Sequence, residues 1–194
     1  NRPLRRGSQS LAGLVKETPL KEEMRSELLK GRTQQRFFSS EESEALEQPF
    51  AHPVNLESEA ELDATNLSAR EINEKIRKLM LQGIGSIRLK NPGAKHSLAV
   101  GILNRLNLTI EGSLGYFGLG LIDGPNVVVK GRVGWSCGEN MMAGTVVIKK
   151  NAGSTFGAAI RGGDLVCHGD VGSRTGIDQK GGTIIVGGTT GAFS

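Results

Sequence analysis

Aromatic side chains are scarce in this chain, at 4% of 194 residues. The scarcity fits a narrow core filled by Val, Ile, Leu and Ala. It also leaves few of the flat platforms on which nucleic acid bases stack. Cysteine is scarcer still, with Cys137 and Cys167 alone. Two cysteines make no disulfide framework and show no metal-ligand spacing. They point to a reducing, cytoplasmic setting. No apolar run approaches the roughly 18 residues that span a bilayer, and no apolar leader opens the chain. The net charge of +4 comes from interleaved basic and acidic residues. The small basic cluster Arg2, Arg5 and Arg6 reads as a solvated or protein-contact terminus, not a nucleic acid footprint. The chain starts at Asn1 and stops inside a repeat at Ser194 without a visible polar cap. Further sequence is expected before Asn1, and further sequence or a partner over the end at Ser194.

Glycine is plentiful, with 28 residues and no G-X-Y period, which excludes collagen. Five glycines stand nineteen residues apart: Gly115, Gly134, Gly153, Gly172 and Gly191. A fixed period of this length marks a solenoid, in which each repeat stacks on the one before. A short apolar strand precedes each glycine: residues 108–110, 127–129, 146–148, 165–167 and 184–186. Ile110, Val129, Ile148, Cys167 and Val186 therefore share one phase, and Cys167 is expected inside the core. Cys137 lies in a glycine-flanked turn and is expected to be more accessible. A second glycine series runs through Gly138, Gly157 and Gly176, and a third through Gly144, Gly163 and Gly182. Corner glycines are expected where the backbone takes positive φ or passes close to a neighbouring coil. The strands are too short and too β-branched for amphipathic helices. One period per circuit gives an all-β solenoid of about 19 residues per coil, with coils from about residue 98. A left-handed hexapeptide helix would prefer multiples of six.

The first sixty residues read as a polar helical arm. Thr18 and Pro19 set an N-cap and a first-turn proline before Leu20, Met24 and Leu28, and Gly31 stops that helix. Ser39 with Glu42 suggests a second short helix, ended by Pro49. Neither carries the apolar surface to fold alone, so the arm is expected to dock on another subunit. A clearer helix spans 68–82. Ser68 and Glu71 form a capping box, Ile72, Ile76, Leu79 and Met80 one apolar face, and Gly83 the stop. This helix is expected to cover the open first coil of a solenoid domain spanning 61–194. The alternating strand from Ile84 to Leu89 and a turn at Asn91-Pro92-Gly93 follow it.

These residues carry a resemblance. It rests on Asn66-Leu67-Ser68, Glu71-Ile72-Asn73, Asn91-Pro92-Gly93-Ala94 with His96, Ala99-Val100-Gly101, the run Glu139-Asn140-Met141-Met142-Ala143-Gly144-Thr145-Val146, and Arg161-Gly162-Gly163. Over roughly residues 62–194 the chain resembles the G-x-G-x-G domain of the glutamate synthase large subunit. It is closer still to the stand-alone middle subunit of N-methylglutamate synthase-type complexes. Gly115, Gly118 and Gly120 come near the motif without a clean copy. The resemblance implies a right-handed parallel β-helix without catalytic or cofactor residues. It implies a scaffold that braces a glutamine amidotransferase-like subunit against an FMN-binding synthase subunit, in a cytoplasmic hetero-oligomer. Glu139, Asn140 and Arg161 are the candidate partner contacts. A second reading, also by resemblance, is the β-helical subunit of a formylmethanofuran dehydrogenase-type one-carbon enzyme. A hexapeptide-type acyltransferase would need a repeated hexad, and none is present.

Chemistry within the chain has thin support. Alternation puts His168 and Asp170 on one side of the chain, which makes a pair without a nucleophile. Cys137 and His96 have no inferable geometry between them.

Overall fold

A computed structural model describes residues 54–194, all within one compact unit. The arm helices expected after Thr18-Pro19 and Ser39, and the cluster at Arg2, Arg5 and Arg6, lie outside the described residues.

The described chain is a parallel β-solenoid with about 19 residues per coil. Strand β1 spans Asn55–Asp63, helix α1 Ala69–Leu81 and β2 Ile84–Lys90. Strands β3 Asn107–Glu111, β4 Asp123–Val129, β5 Ala143–Ile148, β6 Asp164–Cys167 and β7 Thr183–Val186 follow. They form one seven-stranded sheet in simple chain order. Every strand pair is parallel, with Ile110 beside Val129, Val129 beside Ile148, Ile148 beside Cys167 and Cys167 beside Val186. The expected phase is therefore the register.

Alternation sends residues such as Leu108 and Ile110, or Val146 and Ile148, into the core, where all four are buried. Burying each such side chain contributes about 1.5–3 kcal/mol. The residues between them face out. Thr109, Val128, Val147, Val166 and Ile185 stand side by side across β3 to β7, a mostly apolar column on the solvent side of the sheet. Further inward positions repeat on the same period: Val133, Ala152 and Val171 are joined by single β-bridges, and Ile122, Met141 and Ile160 are buried. The series then turn polar. Thr190 follows Val171, Thr175 follows Phe156 and Gln179 follows Ile160. Gln179 donates to the carbonyls of Gly181 and Gly182, and Thr175 to that of Gly172. The last coil thus carries polar substitutions where the sequence showed no cap.

The sheet already begins at Asn55, inside the segment read from sequence as arm. Helix α1 then lies between two strands of the sheet, and Ser68 and Glu71 make the expected capping box. Ile72 and Ile76 are buried in the core, with Leu79 and Met80 packed at its margin. Asn73 faces the open hydrogen-bonding edge of the next coil. Its amide nitrogen donates to the Ser97 carbonyl at 2.8 Å and its amide oxygen accepts from the Ala99 N–H at 2.8 Å. One side-chain amide thus takes the place of a missing peptide group and closes that end of the column.

The wall that carries these groups is not a β-strand. In the coil from Tyr116 to Leu121, Phe117, Leu119 and Leu121 have φ of 58°, 56° and 55°. Their N–H groups point alternately to the two neighbouring coils. Phe117 donates forward to Trp135 at 2.8 Å, Leu119 back to Leu98 at 2.9 Å and Leu121 forward to Glu139 at 2.9 Å. The next coil repeats this with Ser136 to Ser154, Gly138 to Gly118 and Asn140 to Ala158. Every second residue is left-handed, and each still satisfies its N–H. The second glycine series occupies the middle left-handed position, with φ of 72°, 66° and 68° at Gly138, Gly157 and Gly176.

The anchor glycines behave differently. None of Gly115, Gly134, Gly153, Gly172 and Gly191 has positive φ. Their constraint is close approach. A Cβ on Gly153 would sit 2.5 Å from the Trp135 ring and 2.8 Å from the Gly134 carbonyl carbon. On Gly172 and Gly191 it would strike the backbone nitrogens of Ser154 and Ser173.

Candidate functional site

The sites expected from sequence separate in space and chemistry. Cys137 is fully buried, against the expectation of access. Its side chain enters the core one position after the left-handed Ser136, and burial pushes its thiol far above the ordinary range. Cys167 is buried as expected, and its thiol donates to the Lys150 carbonyl at 3.0 Å. Burial pushes its pKa upward too. Neither is a thiolate nucleophile at neutral pH. His96 is exposed, stacked on Tyr116 with its Nδ1 accepting the Tyr116 N–H at 2.8 Å, while Cys137 is closed in the core, so the two form no pair. His168 faces solvent, but Asp170 turns to the next coil. One of its carboxylate oxygens accepts from both the N–H and the hydroxyl of Thr189, each at 2.8 Å. The Thr189 N–H, then its hydroxyl, hold the Asp170 pKa below the usual carboxylate value. The His168–Asp170 pair is therefore not formed. Among the described residues no group of His, Cys, Asp and Glu is placed to hold a metal ion. None of the described helices is long and apolar enough to cross a membrane.

What the structure gathers is apolar. His96, Tyr116 and Trp135 stack coil upon coil. Ring centroids are 4.7 Å apart for His96 and Tyr116, and 5.2 Å for Tyr116 and Trp135. Such offset stacks add about 0.5–1.5 kcal/mol per pair beyond area burial. Each ring lies over the anchor glycine of the following coil: His96 over Gly115, Tyr116 over Gly134 and Trp135 over Gly153. Ser154 and Ser173 continue the column with small side chains.

Beside this ladder runs an open groove of about 230 Å³. Its apolar wall is Val100, Phe117 and Leu121, and its polar rim is Ser97, Ser136, Glu139 and Asn140. Phe117 and Leu121 are 53% and 51% exposed although both hold positive φ. The equivalent positions in the next coil are Ser136 and Asn140. A large apolar residue in the left-handed region costs roughly 1–3 kcal/mol. Phe117 and Leu121 leave much of their apolar surface in solvent rather than in the core. Strain combined with apolar exposure marks this groove as the candidate functional surface.

Of the three contact candidates read from sequence, Glu139 and Asn140 line the groove and Arg161 does not. The aromatic ladder and Phe117 were missed. A signal was present in the paired aromatics Tyr116-Phe117 and in Trp135 at the nineteen-residue offset from Tyr116. A second hollow, of about 270 Å³, lies on the outer sheet face between Glu59, Glu61, Ser86, Arg88, Asn107 and Thr109. There Glu61 is paired with Lys90 at 2.8 Å. Comparisons with family models, curated proteins and solved structures return no match for this chain.

Proposed function

We propose that this chain is a scaffold subunit of a flavin-dependent glutamate synthase or N-methylglutamate synthase-like complex. It would brace a glutamine amidotransferase-like subunit against an FMN-binding synthase subunit. The name of the complex rests on the motif resemblance, above all the run from Glu139 to Val146. The scaffold part rests on one observation. The solenoid offers apolar surface on two different walls: the groove at Phe117 and Leu121, and the outer sheet column, where Val128, Val147 and Val166 are half-buried and Ile185 is exposed. Exposed apolar patches of this kind mark interaction sites. Two on one hydrogen-bonded column suit a part that fixes two partners in place. Placement matters to a reaction in which two sites exchange a small intermediate, because misplacement by an ångström can cost about a hundredfold in rate.

The purified chain is expected to bind no FMN and to release no ammonia from glutamine. Flavin absorbance that stays with the isolated chain through gel filtration contradicts the scaffold reading.

A further inference from the structure

The groove beside the aromatic ladder has one charged side chain, Glu139, and no basic residue on its walls. Two carboxylates on the sheet hold cations, Glu61 with Lys90 at 2.8 Å and Glu111 with Lys130 at 2.7 Å. Glu139 is partly buried, and its carboxylate makes no hydrogen bond or ion pair among the described residues. A carboxylate that lines an apolar groove and has no partner of its own is open to pairing with a cation. The exposed ring of Phe117 on the same groove supplies a second attraction for one, through its π-face.

We propose that this groove receives an arginine side chain presented by the subunit that docks on this wall. The Glu139 carboxylate takes the guanidinium edge and Phe117 its flat face, with Ser136 and Asn140 as neutral acceptors at the rim. Arginine fits better than lysine. Its guanidinium is flat, weakly hydrated, able to stack on a ring and able to pair a carboxylate through two parallel bonds. A side chain on a protein surface fits better than a free amine. The groove is open, and the exposed rings of Tyr116 and Trp135 adjoin it, so a docked surface would add a water-excluding surround that strengthens a pair already able to form with a short peptide. The inference rests on the scaffold reading and names the chemistry of one of its contacts.

Trp135 is the single tryptophan of the chain, and its neighbour Ser136 lines the groove. The test uses the full chain and a blocked Gly-Arg-Gly-Arg-Gly peptide, with the citrulline peptide as a neutral isostere. Trp135 fluorescence and the amide shifts of Ser136 and Asn140 are followed. Saturable shifts are expected with the arginine peptide, with binding at least tenfold weaker for the citrulline peptide. Glu139→Gln should lose the preference for arginine. Phe117→Asn keeps a residue tolerant of positive φ, so the fold should hold, and it should weaken binding several-fold. Absence of saturable shifts, equal affinity for the two peptides, or unchanged binding in either variant overturns the proposal. Failure of the scaffold reading shows elsewhere, in the absence of co-purifying subunits, so the two failures are told apart.

Discussion

At Gly153 the added Cβ, not the backbone angle, is the problem. The residue sits under the Trp135 ring and against the Gly134 carbonyl, and its φ is not positive. Gly153→Ala and Gly153→Val should each lower stability by about 1–3 kcal/mol, as overpacking does. Gly153→Asn separates the two explanations, because asparagine tolerates positive φ but still carries a Cβ. Thermal melts should place it with alanine; a melt like wild type would return the site to a backbone-angle account. The sequence made this glycine visible by its period. It could not tell close approach from φ, since both produce the same letter.

Asp63 is the second residue with a measurable consequence. The Thr65 hydroxyl, then the Asn91 amide, hold its carboxyl below the ordinary value of 3.8. A carboxyl depressed in the folded state stabilises above the ordinary value and loses that contribution as pH falls through the folded one. Asp63→Asn should therefore flatten the fall in melting temperature below about pH 4, with little change in its slope between pH 6 and 8. An unaltered acid limb would show that the cluster does not couple to folding.

Among the elements, α1 was legible in detail and β1 was not. The capping box and the spacing of Ile72 and Ile76 gave the helix because local rules govern both. Strand β1 reads Asn-Leu-Glu-Ser-Glu-Ala-Glu-Leu-Asp, and its charge hid the alternation that turns Leu62 inward and Glu59, Glu61 and Asp63 outward. Such charge suits an edge strand, where it discourages pairing with other chains. The left-handed wall was also hidden, because Phe117, Leu119 and Leu121 break the residue preferences of the conformation they adopt.

Asn73 links the helix to that wall. Asn73→Leu removes both partners at once and leaves the buried Ala99 N–H unpaired, at a cost of about 1–3 kcal/mol. Amide exchange at Ala99 should rise sharply. Asn73→Asp keeps the acceptor for Ala99 but sets a carboxylate oxygen against the Ser97 carbonyl, so it should fall between leucine and wild type. Exchange at Ala99 as slow in the leucine variant as in wild type would show that the helix does not seal the column through this side chain.

At the scale of the whole molecule, periodicity carried the fold. Ile110, Val129, Ile148 and Cys167 occupy the same inward register because each repeat contacts its neighbours in the same way. Function was less legible for the same reason, since a residue that repeats is read first as scaffold. The candidate surface arises where the repeat is broken, at Phe117 and Leu121, whose places in the next coil are taken by Ser136 and Asn140. Those positions differ from coil to coil while the backbone beneath them does not. A regular column with irregular exposed side chains suits a part that holds others in place.

On the scaffold reading, the chemistry lies in subunits that this chain brings together. Affinity purification of the tagged full chain from its native source, with mass spectrometry and flavin analysis of what accompanies it, tests that most directly. An amidotransferase-like subunit and an FMN-containing subunit should appear in fixed proportion to the chain, both retained in 1 M salt and lost on substitution of the two apolar walls. Recovery of the chain alone, or with flavin bound to itself, would contradict the scaffold role.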